Sequence, residues 1–89
     1  MAYNGWTNYE TWNVKLWLDN EEWLHNACIE YAEEHDNVSD CADYLKSLVE
    51  DMKPELDASM FSDLLNAALG EVNWREIAES YLSDAEVES

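Results

Sequence analysis

Apolar and polar residues follow one another along most of this chain at the three- and four-residue spacing of amphipathic helices. The pattern predicts five short helices, at about residues 8–18, 21–34, 38–53, 58–69 and 74–83. No run alternates with the two-residue period of a strand. The sequence therefore predicts a single all-α domain over residues 1–89, a compact bundle with a lead-in at 1–6 and a frayed acidic tail at 84–89.

Capping patterns mark where these helices begin. Asn4-Gly5 is a turn signal, and Thr7 followed by Glu10 forms the Thr-x-x-Glu capping box expected at a helix start. The expected caps of later helices are Asn20 for the second, Asn37 or Ser39 for the third, and Asn73 with Glu76 for the fifth.

The first and fourth predicted helices carry broad apolar faces. In the first, we expect Tyr9, Trp12 and Leu16 to form a buried stripe. This stripe should be widened by Val14, Trp17 and Leu18, and the wetter side should carry Asn8, Thr11 and Lys15. The fourth should end at Gly70. Its inward-facing residues should be Met60, Phe61, Leu64, Leu65, Ala68 and Leu69.

Aromatic residues are concentrated between Trp6 and Trp23. We expect most of them to be core, because large aromatic side chains supply much of the buried area in a small domain. Trp6 and Trp23 lie at the edges of this stretch. They are the expected exceptions, and exposed tryptophans are typical contact residues at protein interfaces.

The charge is unusual for a globular domain: 4 Lys and Arg against 21 Asp and Glu, a formal net charge of -17. Direct binding to nucleic acid or to an anionic membrane is disfavoured, because phosphate-neutralising cations are scarce. A basic protein is the expected partner. The start MAYNGWTN lacks the features of a signal peptide, and no apolar run is long enough for a bilayer, which favours the cytoplasm.

The predicted second and third helices and their connection carry many of the carboxylates. We define the acidic face as Glu30, Glu33, Glu34, Asp36, Asp40, Asp43, Glu50 and Asp51. Carboxylates three or four residues apart repel one another on a helix, so their accumulation favours a function. The hypothesis is an imitation of nucleic-acid phosphates, and its rival is a solvated surface that binds nothing.

Other chemistry has weaker support in the sequence. Cys28 and Cys41 fall on apolar stripes and are expected to be free core thiols. Together with His25 and His35 they give spacings that match no common zinc motif. No nucleophile elbow or phosphate-binding glycine loop occurs, so we expect a protein without cofactor, metal or enzymatic activity.

The stretch Thr7–Trp12, extended by Asn13, Leu16, Trp17 and Asn20, resembles a family of small acidic proteins from phages, archaea and mobile elements with a Thr-Asn-Tyr-Glu-Thr-Trp signature. The resemblance implies an element-encoded protein acting in the cytoplasm of an infected host. With the acidic face it predicts a non-enzymatic inhibitor of a nucleic-acid-binding defence complex, of anti-CRISPR or anti-restriction type. The alternative is an acidic interaction or assembly module, a monomer or weak homodimer joined through exposed aromatic residues.

Overall fold

Five α-helices make up most of the computed structural model, which describes residues 3–53 and 59–88, with side chains to residue 85. They are α1 (Tyr9–Asn20), α2 (Glu22–Glu34), α3 (Val38–Met52), α4 (Met60–Gly70) and α5 (Trp74–Glu88). The described residues contain no strand longer than a single bridge, between Tyr3 and Trp6. The predicted all-α domain of five short helices is confirmed.

Helix α5 is the element on which α1, α2 and α3 pack. It lies against α2 and α3 and also contacts α1. Ile77 and Ala78 are fully buried, and Tyr81 is buried to 1 % exposure. The rest of the core surrounds them: Leu18, Leu24, Cys28, Ile29, Ala32, Cys41, Leu45, Val72 and Ala85. Both thiols lie in this core and are free, as predicted.

The chain enters α1 through a tight turn. Asn4 and Gly5 both have positive φ, 49° and 89°, as a type I′ turn requires. The turn is closed by paired backbone hydrogen bonds of 2.6 and 2.8 Å between Tyr3 and Trp6. The turn expected at Asn4-Gly5 is therefore present.

The cap of α1 is Asn8, so the prediction of Thr7 was wrong. The Asn8 side-chain oxygen accepts from the Thr11 N–H at 2.9 Å, while its Nδ2 donates to the Glu71 carbonyl at 2.7 Å. The amide side chain carries an acceptor and a donor on separate atoms, so Asn8 caps α1 and also ties its start to the end of α4. The Thr7 N–H instead donates to Glu76 Oε1 at 3.0 Å.

The later caps are partly as predicted. Asn37 accepts from the Asp40 N–H at 3.1 Å, and Asn73 accepts from the Glu76 N–H at 3.1 Å. Asn20 does not cap α2. It is the last residue of α1, and α2 follows Glu21, whose side chain makes no capping bond.

Helix α1 buries Leu18, as expected, but otherwise presents a different side to the core from the one expected. Thr11 has no exposed surface, whereas Tyr9 is 51 % and Leu16 38 % exposed. Trp12 packs outside the core, against Tyr3 and Tyr9 at ring distances of 5.0 and 5.6 Å. The helix is apolar on nearly every side, so polar contacts with α5 decide which side faces inward.

The buried polar contacts of α1 form two groups, one at Thr11 and one at Lys15. The Thr11 hydroxyl accepts from the Asn73 N–H at 2.8 Å and donates to Asn8 Oδ1 at 2.6 Å. One turn further on, Lys15 pairs with Asp19, and its ammonium lies 4.6 Å from the centre of the Tyr81 ring. These bonds satisfy groups that would be costly to bury unpaired.

Asp19 collects three donors at the end of α1. Besides Lys15, the Tyr81 hydroxyl donates to Asp19 Oδ1 at 2.7 Å, and His25 Nδ1 lies 3.0 Å from the same oxygen. Burial acts to raise the pKa of Asp19, but these hydrogen bonds outweigh it and lower the pKa from its ordinary value of 3.8. The carboxylate therefore joins α1, α2 and α5.

Helices α4 and α5 also differ from expectation. No residue of α4 is buried, and Met60, Phe61 and Leu64, which were expected to face inward, are 65, 66 and 61 % exposed. Helix α5 continues to Glu88 rather than fraying after Ser83, because Ala85 packs into the core with 4 % exposure. The start predicted for α4 near Ala58 lies outside the described residues.

Candidate functional site

The acidic face is fully presented to solvent. All eight of its carboxylate residues are exposed: Glu30, Glu33, Glu34, Asp36, Asp40, Asp43, Glu50 and Asp51. The ion pairs found among the described residues involve Lys15, His25 and Asp19, and none includes a member of this face. Within the described residues, no ion pair therefore neutralises a carboxylate of this face.

Helical geometry aligns these carboxylates on the outer sides of α2 and α3. On α3, Asp40, Asp43 and Glu50 are separated by three and seven residues, which returns each to one side of the helix. That side is opposite Cys41 and Leu45, which are buried. On α2, Glu30 and Glu34 are one turn apart and lie away from the buried Cys28.

A column of three stacked rings occupies the seam between α2 and α3. The Tyr31 ring lies between those of Tyr44 and His35, with centroid distances of 4.1 Å to each and interplanar angles of 9° and 15°. We call these residues the tyrosine stack. Sequence analysis missed it, although the four-residue spacing of Tyr31 and His35 places both on one side of α2.

Carboxylates from both helices act on the tyrosine stack. Burial, followed by the negative charges of Asp40 and Asp43, raises the pKa of Tyr31. Burial also raises the pKa of Tyr44, and Glu30 adds to the effect. Asp40 and Asp43 of α3 therefore act on Tyr31 of α2, and Glu30 of α2 acts on Tyr44 of α3, so these three carboxylates lie near the tyrosine stack.

A shallow pocket of about 230 Å³ opens beside the tyrosine stack. Its walls are the two tyrosines and Ala27, and Glu30 and Glu34 supply its carboxylates. Aromatic rings and carboxylates together suit a flat organic cation, since a guanidinium can stack on a ring while it pairs with an oxygen.

The far end of the acidic face has a different environment. Glu50 lies seven residues beyond Asp43, about 10 Å along the helix. It lines a cleft of about 310 Å³ together with Lys46 and Lys53, and the Lys53 ammonium donates to Asn66 Oδ1 at 3.1 Å. The structure thus groups the residues from Glu30 to Asp43 and separates Glu50 and Asp51 from them.

The two aromatic residues predicted as contacts differ in exposure. Trp23 is 60 % exposed, whereas Trp6 is partly buried against the core, with the Lys15 ammonium 5.9 Å from its ring. Trp17, which was expected to widen the buried stripe of α1, is instead 59 % exposed. Its neighbours in sequence gave no signal that it would point outward.

The cysteines are poorly suited to chemistry at a surface. Burial raises the pKa of Cys28 to about 11, so the reactive thiolate is scarce at neutral pH. The Cys41 thiol donates to the His35 carbonyl at 3.1 Å, and burial raises its pKa as well. Residues 3–53 and 59–88 hold no group of three or more His, Cys, Asp or Glu placed to bind a metal ion.

A family model spans the whole chain, residues 1–89, and describes a family of unknown function, DUF7249. The chain belongs to this family. No curated protein and no solved structure matches it. Within the described residues, none of the helices has the length and apolar character needed to cross a bilayer.

Proposed function

We propose that this member of DUF7249 is a non-enzymatic inhibitor that imitates nucleic-acid phosphates and occupies the binding channel of a basic protein. The observation that carries the proposal is the group of exposed, unpaired carboxylates held on α2 and α3 around the tyrosine stack. The proposed target is a host defence complex such as a CRISPR effector or a restriction enzyme. The signature at Thr7–Trp12 supports a phage or mobile-element origin.

The charge per unit length of the protein supports the proposed imitation of nucleic-acid phosphates. A net charge of -17 over a long axis of 44 Å corresponds to about one charge per 2.6 Å. Duplex DNA carries one per roughly 1.7 Å of axis, and each of its strands one per roughly 3.4 Å. The charge per unit length of the protein therefore lies between that of one DNA strand and that of a duplex. A channel that binds either form would attract it.

The placement of carboxylates against helix dipoles also supports a function for the charge. The C-terminal turn of a helix favours cations, yet the last turns of α2 and α3 contain Glu33, Glu34, Glu50 and Asp51 and no basic residue. Each such placement costs several tenths of a kcal/mol. A surface needed only for solubility could carry its carboxylates at helix N-termini, where they stabilise the fold.

The tyrosine stack supports a partner rich in arginine. Basic channels contact phosphates mainly through Arg and Lys, and Arg, unlike Lys, gains from stacking on an aromatic ring. Both faces of the Tyr31 ring are covered, by Tyr44 and His35, so the ring surface that this pocket can offer an arginine next to Glu30 and Glu34 is that of Tyr44. We therefore expect an arginine of the target to enter this pocket.

Charge reversal on the acidic face tests the proposal. We expect the quadruple variant Glu33→Lys, Glu34→Lys, Asp40→Lys and Asp43→Lys to lose inhibition of DNA binding by a purified CRISPR effector or restriction enzyme that the wild type inhibits. A control with the same change in net charge reverses four exposed carboxylates elsewhere, Glu21, Glu71, Glu79 and Asp84. Equal affinities and equal salt dependence for wild type and quadruple variant would rule out the acidic face as the binding surface.

A further inference from the structure

Helix α4 presents an apolar face that nothing in the described part of the chain covers. Met60, Leu64 and Ala67 follow one another at spacings of four and three residues, and with Phe61 and Ala68 beside them they are all exposed. An isolated helix of 11 residues is only marginally stable in water. Exposed apolar surfaces of this kind mark interaction sites.

An apolar groove lies elsewhere on the same molecule. It has a volume of about 280 Å³ and runs between α1, α2 and the end of α3. We call it the α1–α3 groove. Trp17 and Met52, 59 % and 43 % exposed, form its outer walls. Its lining also includes Val14, Leu18, Leu24 and Val49.

We propose that α4 of one copy of this chain docks into the α1–α3 groove of a second copy, and that the contact is made twice in a symmetric dimer. A two-fold axis closes such an assembly, because each copy offers one helix and one groove. The dimer is independent of the proposed inhibitor function, since its surfaces lie outside the acidic face.

Local charge opposes a second copy only weakly, despite the net charge of -17. Asp63 is the one charged residue of α4, and Glu21 is the one charged residue lining the groove. Each of the two surfaces therefore carries a single carboxylate, and repulsion directly across the contact is small. The remaining repulsion is between distant charges, and salt screens it.

The buried area is sufficient for a weak dimer. A single aromatic side chain buries about 150–250 Å² when it is fully covered. Covering the exposed parts of Met60, Phe61, Leu64, Trp17 and Met52 in both copies removes on the order of 1,200 Å² from water, the lower limit for a specific interface. The proposed dimer therefore uses α4 and the α1–α3 groove rather than Trp6 and Trp23, the aromatic residues expected from the sequence to make contacts.

Sedimentation equilibrium with matched variants tests the dimer. The wild-type protein should associate to a dimer that strengthens as salt is raised. Trp17→Ala should raise the dissociation constant by about tenfold or more, whereas Trp23→Ala, equally exposed but outside the groove, should not. Leu64→Asp should also abolish the dimer, and Ser47→Asp, which adds the same charge on the outer side of α3, should not.

Mixing the two defective variants separates this dimer from general loss of folding. Leu64→Asp retains an intact groove and Trp17→Ala an intact α4, so a mixture regains one of the two contacts and should associate more strongly than either variant alone. A wild-type protein that stays monomeric at all salt concentrations would overturn the proposal. So would a dimer that Trp17→Ala and Trp23→Ala weaken equally.

Discussion

Replacing Thr11 by Val should remove one of the bonds that orient α1. The side chain has no exposed surface, and its hydroxyl connects α1 to the start of α5 through Asn73 and to the cap of α1 through Asn8. Valine keeps the shape of threonine and loses only the hydroxyl. The substitution therefore measures hydrogen bonding with little change in packing.

The magnitude follows from the groups left without partners. The 2.8 Å bond from the Asn73 N–H and the 2.6 Å bond to Asn8 Oδ1 are both lost. Asn8 still accepts from the Thr11 backbone N–H, but the Asn73 N–H loses its partner. Each lost hydrogen bond costs about 0.5–1.5 kcal/mol, and the bond from the Asn73 N–H is only partly buried. With two bonds lost we expect a loss of about 1–3 kcal/mol, or a fall in Tm of about 4–20 °C for a domain of this size.

Urea unfolding followed by tryptophan fluorescence gives the free energy of unfolding, and Thr7→Val is the matched control. Thr7 is exposed, and its hydroxyl accepts a long hydrogen bond of 3.4 Å from Asn73 Nδ2. Its replacement should therefore lower the free energy of unfolding by less than about 0.5 kcal/mol. Equal small effects of the two substitutions would refute the assignment of Thr11 as a buried contact.

Three further outcomes follow from the described geometry. The folded-state pKa of Asp19 lies below its ordinary value of 3.8. The Asp19 carboxylate therefore stabilises the fold above pH 3.8, and this stabilisation is lost as the pH falls through the folded-state pKa. The difference in free energy of unfolding between wild type and Asp19→Asn should therefore shrink between pH 7 and pH 3, and a constant difference would contradict the linkage. Cys28, with a pKa of about 11, should react with a thiol reagent at neutral pH only as fast as the protein unfolds; rapid labelling of the native protein at this residue would contradict its burial. Glu34→Gln should weaken binding of an arginine-rich peptide more than Glu33→Gln, because only Glu34 lines the pocket at the tyrosine stack; calorimetric titrations that find equal losses would exclude the pocket as the arginine site.

Much of the fold was predictable because helix periods and polar caps are local features. The five helices, the Asn4-Gly5 turn and the caps at Asn37 and Asn73 all depend on residues close in sequence. The end of α5 was not predictable in this way, since Ala85 is held by packing against distant residues rather than by its neighbours.

The orientation of α1 could not be predicted from its own residues. Aromatic and aliphatic side chains surround the helix, so hydrophobic periodicity does not choose one side. The choice depends on Asn73 and Tyr81, which lie more than 60 residues away and bond to Thr11 and Asp19. Helix α4 shows the reverse: its periodicity predicts a buried face, and the described chain supplies nothing to cover that face.

The charges of the candidate site were predictable from the sequence, but the tyrosine stack at its centre was not. Exposure of the acidic face follows from the avoidance of buried carboxylates. The tyrosine stack depends on the packing of α2 against α3, and Tyr44 gave no sign of meeting Tyr31. Phosphate imitation alone would need only charge, whereas the proposed contact with an arginine depends on the tyrosine stack.

Competition between the protein and DNA for one target tests the central claim most directly. A complex of a labelled duplex and a purified target enzyme is titrated with the wild-type protein. Native mass spectrometry then shows whether the enzyme carries the duplex, the protein or both. We predict that the protein displaces the duplex, that no complex contains both, and that displacement weakens as salt is raised. A stable ternary complex of target, duplex and inhibitor would contradict the account.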